Sequence, residues 1–441
     1  MKIKQQDQGR RTMLRTTQIA IAGAAFALLA ACGGGGSNNA SDPPPSGVNM
    51  QVVSFGTSLS DAGTYQPILL RFGGGRFTTN PGETWPQKVS EYFGNTMTPA
   101  FEGGFTTLLQ ASGGLNYAQG GAWVTALGVD TTDADPTTTP APGPTEMPLQ
   151  WQIQQYLAQH QSFNANQIVL VEGGANDILN NIGPILTPVI TSILQAQLSG
   201  TPLTQTQIET LLGTATQNTL GTSAGALVTL IGQILTNGAK HVAVINVPDI
   251  GVTPLAQANG TVQSGIATAL TAELSAAPYN LSSAQIQGIL ASVLPKVPSM
   301  VSGVVTGYNQ IVSGLLTQNG IAGDVIPVDS YSWLDNLVAN YSAQGFTVGN
   351  GGTACDLTAM ATDAIGYFTA NPSAIPAGET AQTAGTAYAS SLFCSATTLT
   401  APGADQNYVF ADEIHPTTHT HELFAQLVEQ ALAGAGVGKA P

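Results

Sequence analysis

The chain has 441 residues, of which 43% are hydrophobic and only 8% charged, against about 25% charged in an ordinary globular protein. Its 11 Lys and Arg against 26 Asp and Glu leave a net charge of −15. No stretch offers the basic patch that phosphates require, which argues against a nucleic-acid partner, and the length allows a sizeable core. At the N-terminus Lys2, Lys4, Arg10, Arg11 and Arg15 precede the apolar run Ile19–Ala31. That run is short for a bilayer span, so residues 1–31 are expected to be a cleavable export signal. GGGGSNNASDPPPSG follows, and residues 32–48 are expected to be a flexible linker.

The end of the apolar run, Leu29-Ala30-Ala31-Cys32, resembles the lipobox of bacterial lipoproteins. That resemblance implies lipidation of Cys32, a membrane anchor at the N-terminus, and, with Gly33 next, an outer-membrane, periplasmic or cell-surface location. An ordinary signal with an incidental Cys is the alternative. Arg10-Arg11-Thr12-Met13-Leu14-Arg15 also resembles a twin-arginine export signal.

From Met50 onward strand and helix patterns alternate. Met50–Phe55, Gln167–Glu172, His241–Val247 and Asp324–Val328 are short, mostly apolar runs bounded by turn residues, the expected strands. Leu149–His160 and Ala224–Asn237 have helical spacing. Such alternation predicts one α/β domain, residues 49–435, with a parallel sheet and helices on both faces. Strand C-terminal ends then share one edge. Ile182–Gly221 and Asn280–Gly320 are further helical insertions, expected either to cap that edge or to extend the core. Thr131–Pro144 reads as a surface loop, where Asp130, Asp133 and Asp135 are weak calcium candidates without EF-hand spacing. The mature body keeps two cysteines, Cys355 and Cys394; in an exported domain they are expected to form one disulfide.

The chemistry concentrates in four blocks. Phe55–Gly63, FGTSLSDAG, sets Ser58 in the bend after the first strand. Asp412 stands three residues before His415 in DEIHPT, so one loop can bring a carboxylate to an imidazole, and a nearby serine would complete a nucleophile–base–orienter set. Gly113–Ala122 (GGLNYAQGGA) and Glu172–Ile178 (EGGANDI) place glycines and an amide where strands hand over to loops, as an oxyanion site needs.

These blocks, in this order, resemble the GDSL, or SGNH, hydrolases. Gly75–Gly94, Lys240–Pro254 and Val328–Phe346 add to the likeness, which runs from about Met50 to Leu432. The resemblance implies a flavodoxin-like three-layer α/β/α sandwich and a serine esterase or lipase acting on a small-molecule or lipid ester. It implies Ser58 as nucleophile, His415 as base and Asp412 as orienter. The N–H groups of Ser58 and Gly121, with Gly120 as the competing neighbour, and the Asn176 amide would form the oxyanion hole. No cofactor or metal is required. Thr57 departs from the family, whose members usually carry Asp directly before the nucleophile.

Other readings stand beside these. Ser58 could be a turn residue, and Asn176 could bridge backbone groups. His419 and His421 with His415 invite a zinc reading, against an exposed start of the last helix. Tyr65, Phe72, Phe77 and Trp123 could line an acyl pocket or pack in the core. A phospholipase or acyltransferase of the same family, or a degenerate binding lipoprotein, are the alternative functions.

Overall fold

The computed structural model describes residues 50–126, 137–138, 144–277 and 279–438. The signal, linker and Cys32 readings and the calcium reading at Asp130, Asp133 and Asp135 fall outside them. In chain order the elements are β1 (Gln51–Phe55), α1 (Gln66–Leu69), α2 (Trp85–Tyr92), β2 (Phe101–Gly104), β3 (Thr107–Ala111), α3 (Leu149–His160), β4 (Gln167–Glu172), α4 (Ala175–Leu198) and α5 (Gln205–Thr236). Then come β5 (His241–Ile245), α6 (Thr261–Ser275), α7 (Ser283–Val293), α8 (Val297–Gln318), β6 (Ile326–Val328), α9 (Ser330–Ala339), α10 (Leu357–Ala370), α11 (Ala381–Ala387), α12 (Ala404–Asn407) and α13 (Thr418–Gly434).

Strand alternation builds the three layers. β1, β4, β5 and β6 lie side by side in that order, all parallel, with Val52 opposite Ile168 and Val53 opposite Val169. Successive side chains point to opposite faces, so this register sorts them cleanly. Val52, Ile168, Leu170, Ala243, Ile245 and Val328 meet Trp85 and Val89 of α2 and Phe424 and Val428 of α13. Val53, Phe55, Val169, Val171, Val242 and Val244 meet α3, α4, α5 and α8. Both faces are covered, which is why these strands are almost wholly apolar.

Beyond β1 the described residues carry the sheet on as isolated parallel bridges, Ser54 with Asn116 and Asn116 with Pro99. Asn116 pairs with Ser54, whose N–H donates to the Leu115 carbonyl at 3.0 Å while Tyr117 N–H donates to the Ser54 carbonyl at 2.8 Å. The chain thus steps from β1 to one side first and then returns to build β4, β5 and β6 on the other. The C-terminal end of β1 is therefore a topological switch point, the place where open α/β sheets form their clefts.

The segment read as helical over 182–221 is divided between α4 and α5, with residues 199–204 between them. α5 starts at a capping box formed by Thr204 and Gln207 and runs unbroken through 224–236. α4, α5 and α8 extend the core: Ile185, Leu227, Ile231, Val301 and Val304 join the main hydrophobic cluster. A second lobe holds α10 and α11, with Tyr65, Phe105 and Phe393 in its core. Cys355 and Cys394 are disulfide-bonded within it.

Candidate active site

Ser58 is held up by a turn that leaves no slack. β1 ends at Phe55, and Gly56 is gripped by Gln152 of α3, which accepts from Gly56 N–H and donates to its carbonyl, each at 2.9 Å. A side chain at Gly56 would put its Cβ 2.8 Å from Glu172 Oε2 and from Ser60 Oγ. Thr57 donates from its N–H to Glu172 Oε2 at 2.9 Å and from its hydroxyl to both carboxylate oxygens at 3.0 Å; Ser60 Oγ donates to Oε2 at 3.1 Å. Asp61 closes the turn by accepting from Gly63 and Thr64 N–H at 2.8 Å and from Gly120 N–H at 3.0 Å.

From the far end of the chain, the loop before α13 delivers His415. Its Nε2 lies 2.9 Å from Ser58 Oγ and its Nδ1 lies 2.7 Å from Asp412 Oδ2. With Nδ1–H donating to the carboxylate, Nε2 is free to accept from the serine hydroxyl. Asp412 also folds its own loop: Oδ1 accepts from the Ile414 N–H at 2.9 Å and the His415 N–H at 2.7 Å, and Oδ2 from the Ser391 N–H at 2.6 Å. Burial alone would push this carboxyl up. The His415 charge and these hydrogen bonds outweigh it and bring Asp412 down to about 2, so it is ionised at neutral pH.

Gly120 and Gly121 have different roles. The Gly120 N–H is spent on Asp61, and a Cβ there would lie 2.0 Å from Phe77 Cζ. Gly121, at φ +79, has an N–H with no partner among the described residues, and a Cβ there would be 2.5 Å from Glu146 Oε1. Asn176, near the N-terminus of α4, donates one amide hydrogen to the Ala122 carbonyl at 2.8 Å. Its other amide hydrogen has no partner among the described residues. Asp177 ties the same two segments together, accepting from Val124 N–H at 3.1 Å and from Ser223 Oγ at 2.6 Å.

Ser58, His415, Gly121 and Asn176 line one cavity of about 240 Å³. The rest of its wall is largely apolar, with Leu59, Phe77, Leu179, Ile250, Leu392 and Ile414 among the residues; Glu146, Glu172 and Asp249 also border it, and among the described residues it holds no Lys or Arg. Of the four aromatics proposed for an acyl pocket, Phe77 reaches the cavity, its ring 5.0 Å from that of His415. Tyr65 is buried in the second lobe and Phe72 packs on Phe393 at 5.8 Å. Trp123 is absent from the wall.

The expected exposed position of His421 is corrected. It is fully buried, accepting at Nδ1 from the Trp85 N–H at 3.3 Å, and burial pulls it down to about 3, so it is neutral. His419 instead reaches the Gln406 carbonyl at 2.8 Å. Gln152, Glu172 and Asp61 are the supporting residues that sequence reasoning passes over. A carboxylate closing the apolar strand QIVLVE was the available signal for Glu172.

A family model described as GDSL-like Lipase/Acylhydrolase matches residues 52–287, more than half of the chain. The chain belongs to this family and is a hydrolase of ester bonds. The matched span contains Ser58, Gly121 and Asn176 and stops before the Asp412–His415 loop. A comparison with the curated proteins found no match.

Proposed function

We propose that the protein is a serine esterase that hydrolyses carboxylic esters through an acyl-enzyme, with Ser58 as nucleophile, His415 as general base and acid, and Asp412 as orienter. The unbroken row Asp412–His415–Ser58, with spacings of 2.7 and 2.9 Å, carries this reading. His415 takes the hydroxyl proton as Ser58 Oγ bonds to the acyl carbon, and Asp412 stabilises the imidazolium. The Ser58 and Gly121 N–H groups and the remaining Asn176 amide hydrogen receive the oxyanion. His415 then protonates the departing alcohol, and water repeats the sequence to release the acid.

The largely apolar wall, without a cation, favours neutral acyl esters over substrates presenting a phosphate near the scissile bond. That weighs against the phospholipase alternative. Labelling with a fluorophosphonate probe, together with hydrolysis of p-nitrophenyl butyrate, tests the reading. The folded wild type is expected to label and turn over, and Ser58→Ala to do neither. A folded wild type that is inert to both is a binding protein; a Ser58→Ala protein at full activity places the nucleophile elsewhere. The N-terminal reading remains part of the proposal: Cys32 carries the lipid and tethers the domain to the membrane. Incorporation of labelled palmitate into wild type but not Cys32→Ser is the expected outcome.

A further inference from the structure

Glu172 is the last residue of β4, 1% exposed, and among the described residues it makes no ion pair. A buried carboxylate without a cation is unfavourable unless donors surround it. Here the donors all belong to one place. Thr57 N–H and Oγ1 stand immediately before Ser58, and Ser60 Oγ stands two residues after it. A Cβ at Gly56 would crowd the same carboxylate oxygen and Ser60 together, each at 2.8 Å. The turn is thus draped over Glu172, while the one hydrogen bond of the Ser58 side chain in the structure goes to His415. The peptide that carries Ser58 N–H is held from two sides, by Glu172 through the Thr57 N–H and hydroxyl and by the Ser60 N–H, which donates to the Thr57 carbonyl at 3.0 Å; only the first is a side chain from another element. The titratable neighbour that feels this carboxylate is the buried Tyr308 phenol, which is neutral.

We propose that Glu172 is the positioning residue of the nucleophile turn and that residues 57 and 172 form one donor–acceptor pair whose two ends are exchangeable. Family members usually place a carboxylate at the position of Thr57. In this chain the carboxylate approaches from the neighbouring strand, and a hydroxyl occupies the turn. The inference rests on the esterase reading above, because a positioning role has meaning only if Ser58 is the nucleophile. A displacement of about 1 Å at that serine is enough to slow an oriented reaction by about 10²-fold.

The test is a swap. Thr57→Asp sets two buried carboxyl groups within hydrogen-bond distance, and two such groups cannot both ionise. They share a proton at low pH and repel at high pH. The expected result is a loss in kcat/KM for p-nitrophenyl butyrate that deepens from pH 6 to pH 9, reaching about 10- to 100-fold, the worth of a hydrogen bond to a charged group. Glu172→Gln alone should lose less, because the amide keeps one acceptor and the neighbouring hydroxyls can turn to accept. The double variant Thr57→Asp/Glu172→Gln lets the amide donate to the new carboxylate. It should recover at least tenfold over Thr57→Asp and regain the wild-type pH profile. Thr57→Asp with wild-type activity across this range overturns the inference. So does a double variant that fails to fold or stays as inactive as Thr57→Asp. Neither result touches the esterase reading, which falls with an inert wild type or with full activity in Ser58→Ala.

Discussion

His415 Nε2 approaches Ser58 Oγ to 2.9 Å although 357 residues separate the two in the chain. The approach depends on Asp412, which turns the loop through two backbone N–H groups and holds the ring through Nδ1. Asp412→Asn would keep the shape but present an amide N–H to the imidazole, favouring the tautomer that cannot accept from Ser58. The expected loss in kcat is about 10³–10⁴-fold, measured by steady-state hydrolysis. A loss under tenfold would separate Asp412 from the chemistry.

Asn176 has two duties that kinetics can separate. One amide hydrogen holds the Ala122 carbonyl at 2.8 Å; the other is the proposed oxyanion donor. Asn176→Ala should lower kcat by about 10²–10³-fold with little change in KM, because the lost interaction strengthens only in the transition state. A rise in KM with kcat preserved would make Asn176 a scaffold residue.

The disulfide reaches the site through two hydrogen-bonding residues. Asn80 Nδ2 donates to the carbonyls of Ser391 at 3.1 Å and Cys394 at 3.0 Å, and the Ser391 N–H donates to Asp412. Cys355→Ser/Cys394→Ser frees a loop with a sequence separation of 39. Stability should fall by roughly 3–4 kcal/mol in the chain-entropy account, and kcat should fall with it as the Asp412 partner loosens. Denaturant midpoints and kcat measured on the same samples check both. Unchanged kcat with lower stability would uncouple the lobe from the triad.

Much of this arrangement is legible in the residues. Apolar runs bounded by turn signals locate β1, β4, β5 and β6 to within three residues at either end, because buried parallel strands must be apolar on both faces. The hairpin of β2 and β3 is not legible. Its turn uses Phe105 at φ +50 and Thr106 at φ +72, where Gly or Asn would be the usual signal. Phe105 accepts that conformation because its ring inserts among Tyr65, Tyr367 and Phe368, contacts formed by segments far apart in sequence. Glu172 is hidden for the same reason. Its role depends on β1 lying beside β4, which no local pattern states. The choice between Gly120 and Gly121 also needs the fold, since it is decided by Asp61 capturing one N–H.

His421 sets an acid limit on stability. Buried between α2 and the Phe77 carbonyl, it is pulled from its usual 6.5 down to about 3, so folding excludes the proton that the unfolded chain binds. A depressed folded value means that its contribution is complete above pH 6.5 and is lost as pH falls from 6.5 towards 3, by about 1.4 kcal/mol per pH unit. Asp412, depressed from 3.8 to about 2, acts with the same sign at lower pH. Glu172 is raised by burial and acts with the opposite sign, so the total curve is a sum and the informative quantity is a difference between variants. His421→Gln offers an oxygen to the Trp85 N–H and an amide to the Phe77 carbonyl, and it does not titrate. Urea unfolding at pH 7 and pH 4 should therefore show wild type losing on the order of 3 kcal/mol more than His421→Gln over that interval. Equal losses in the two proteins would mean that the imidazole finds a way to take up its proton in the folded state, and that α2 and α13 part at His421 before the rest of the domain unfolds.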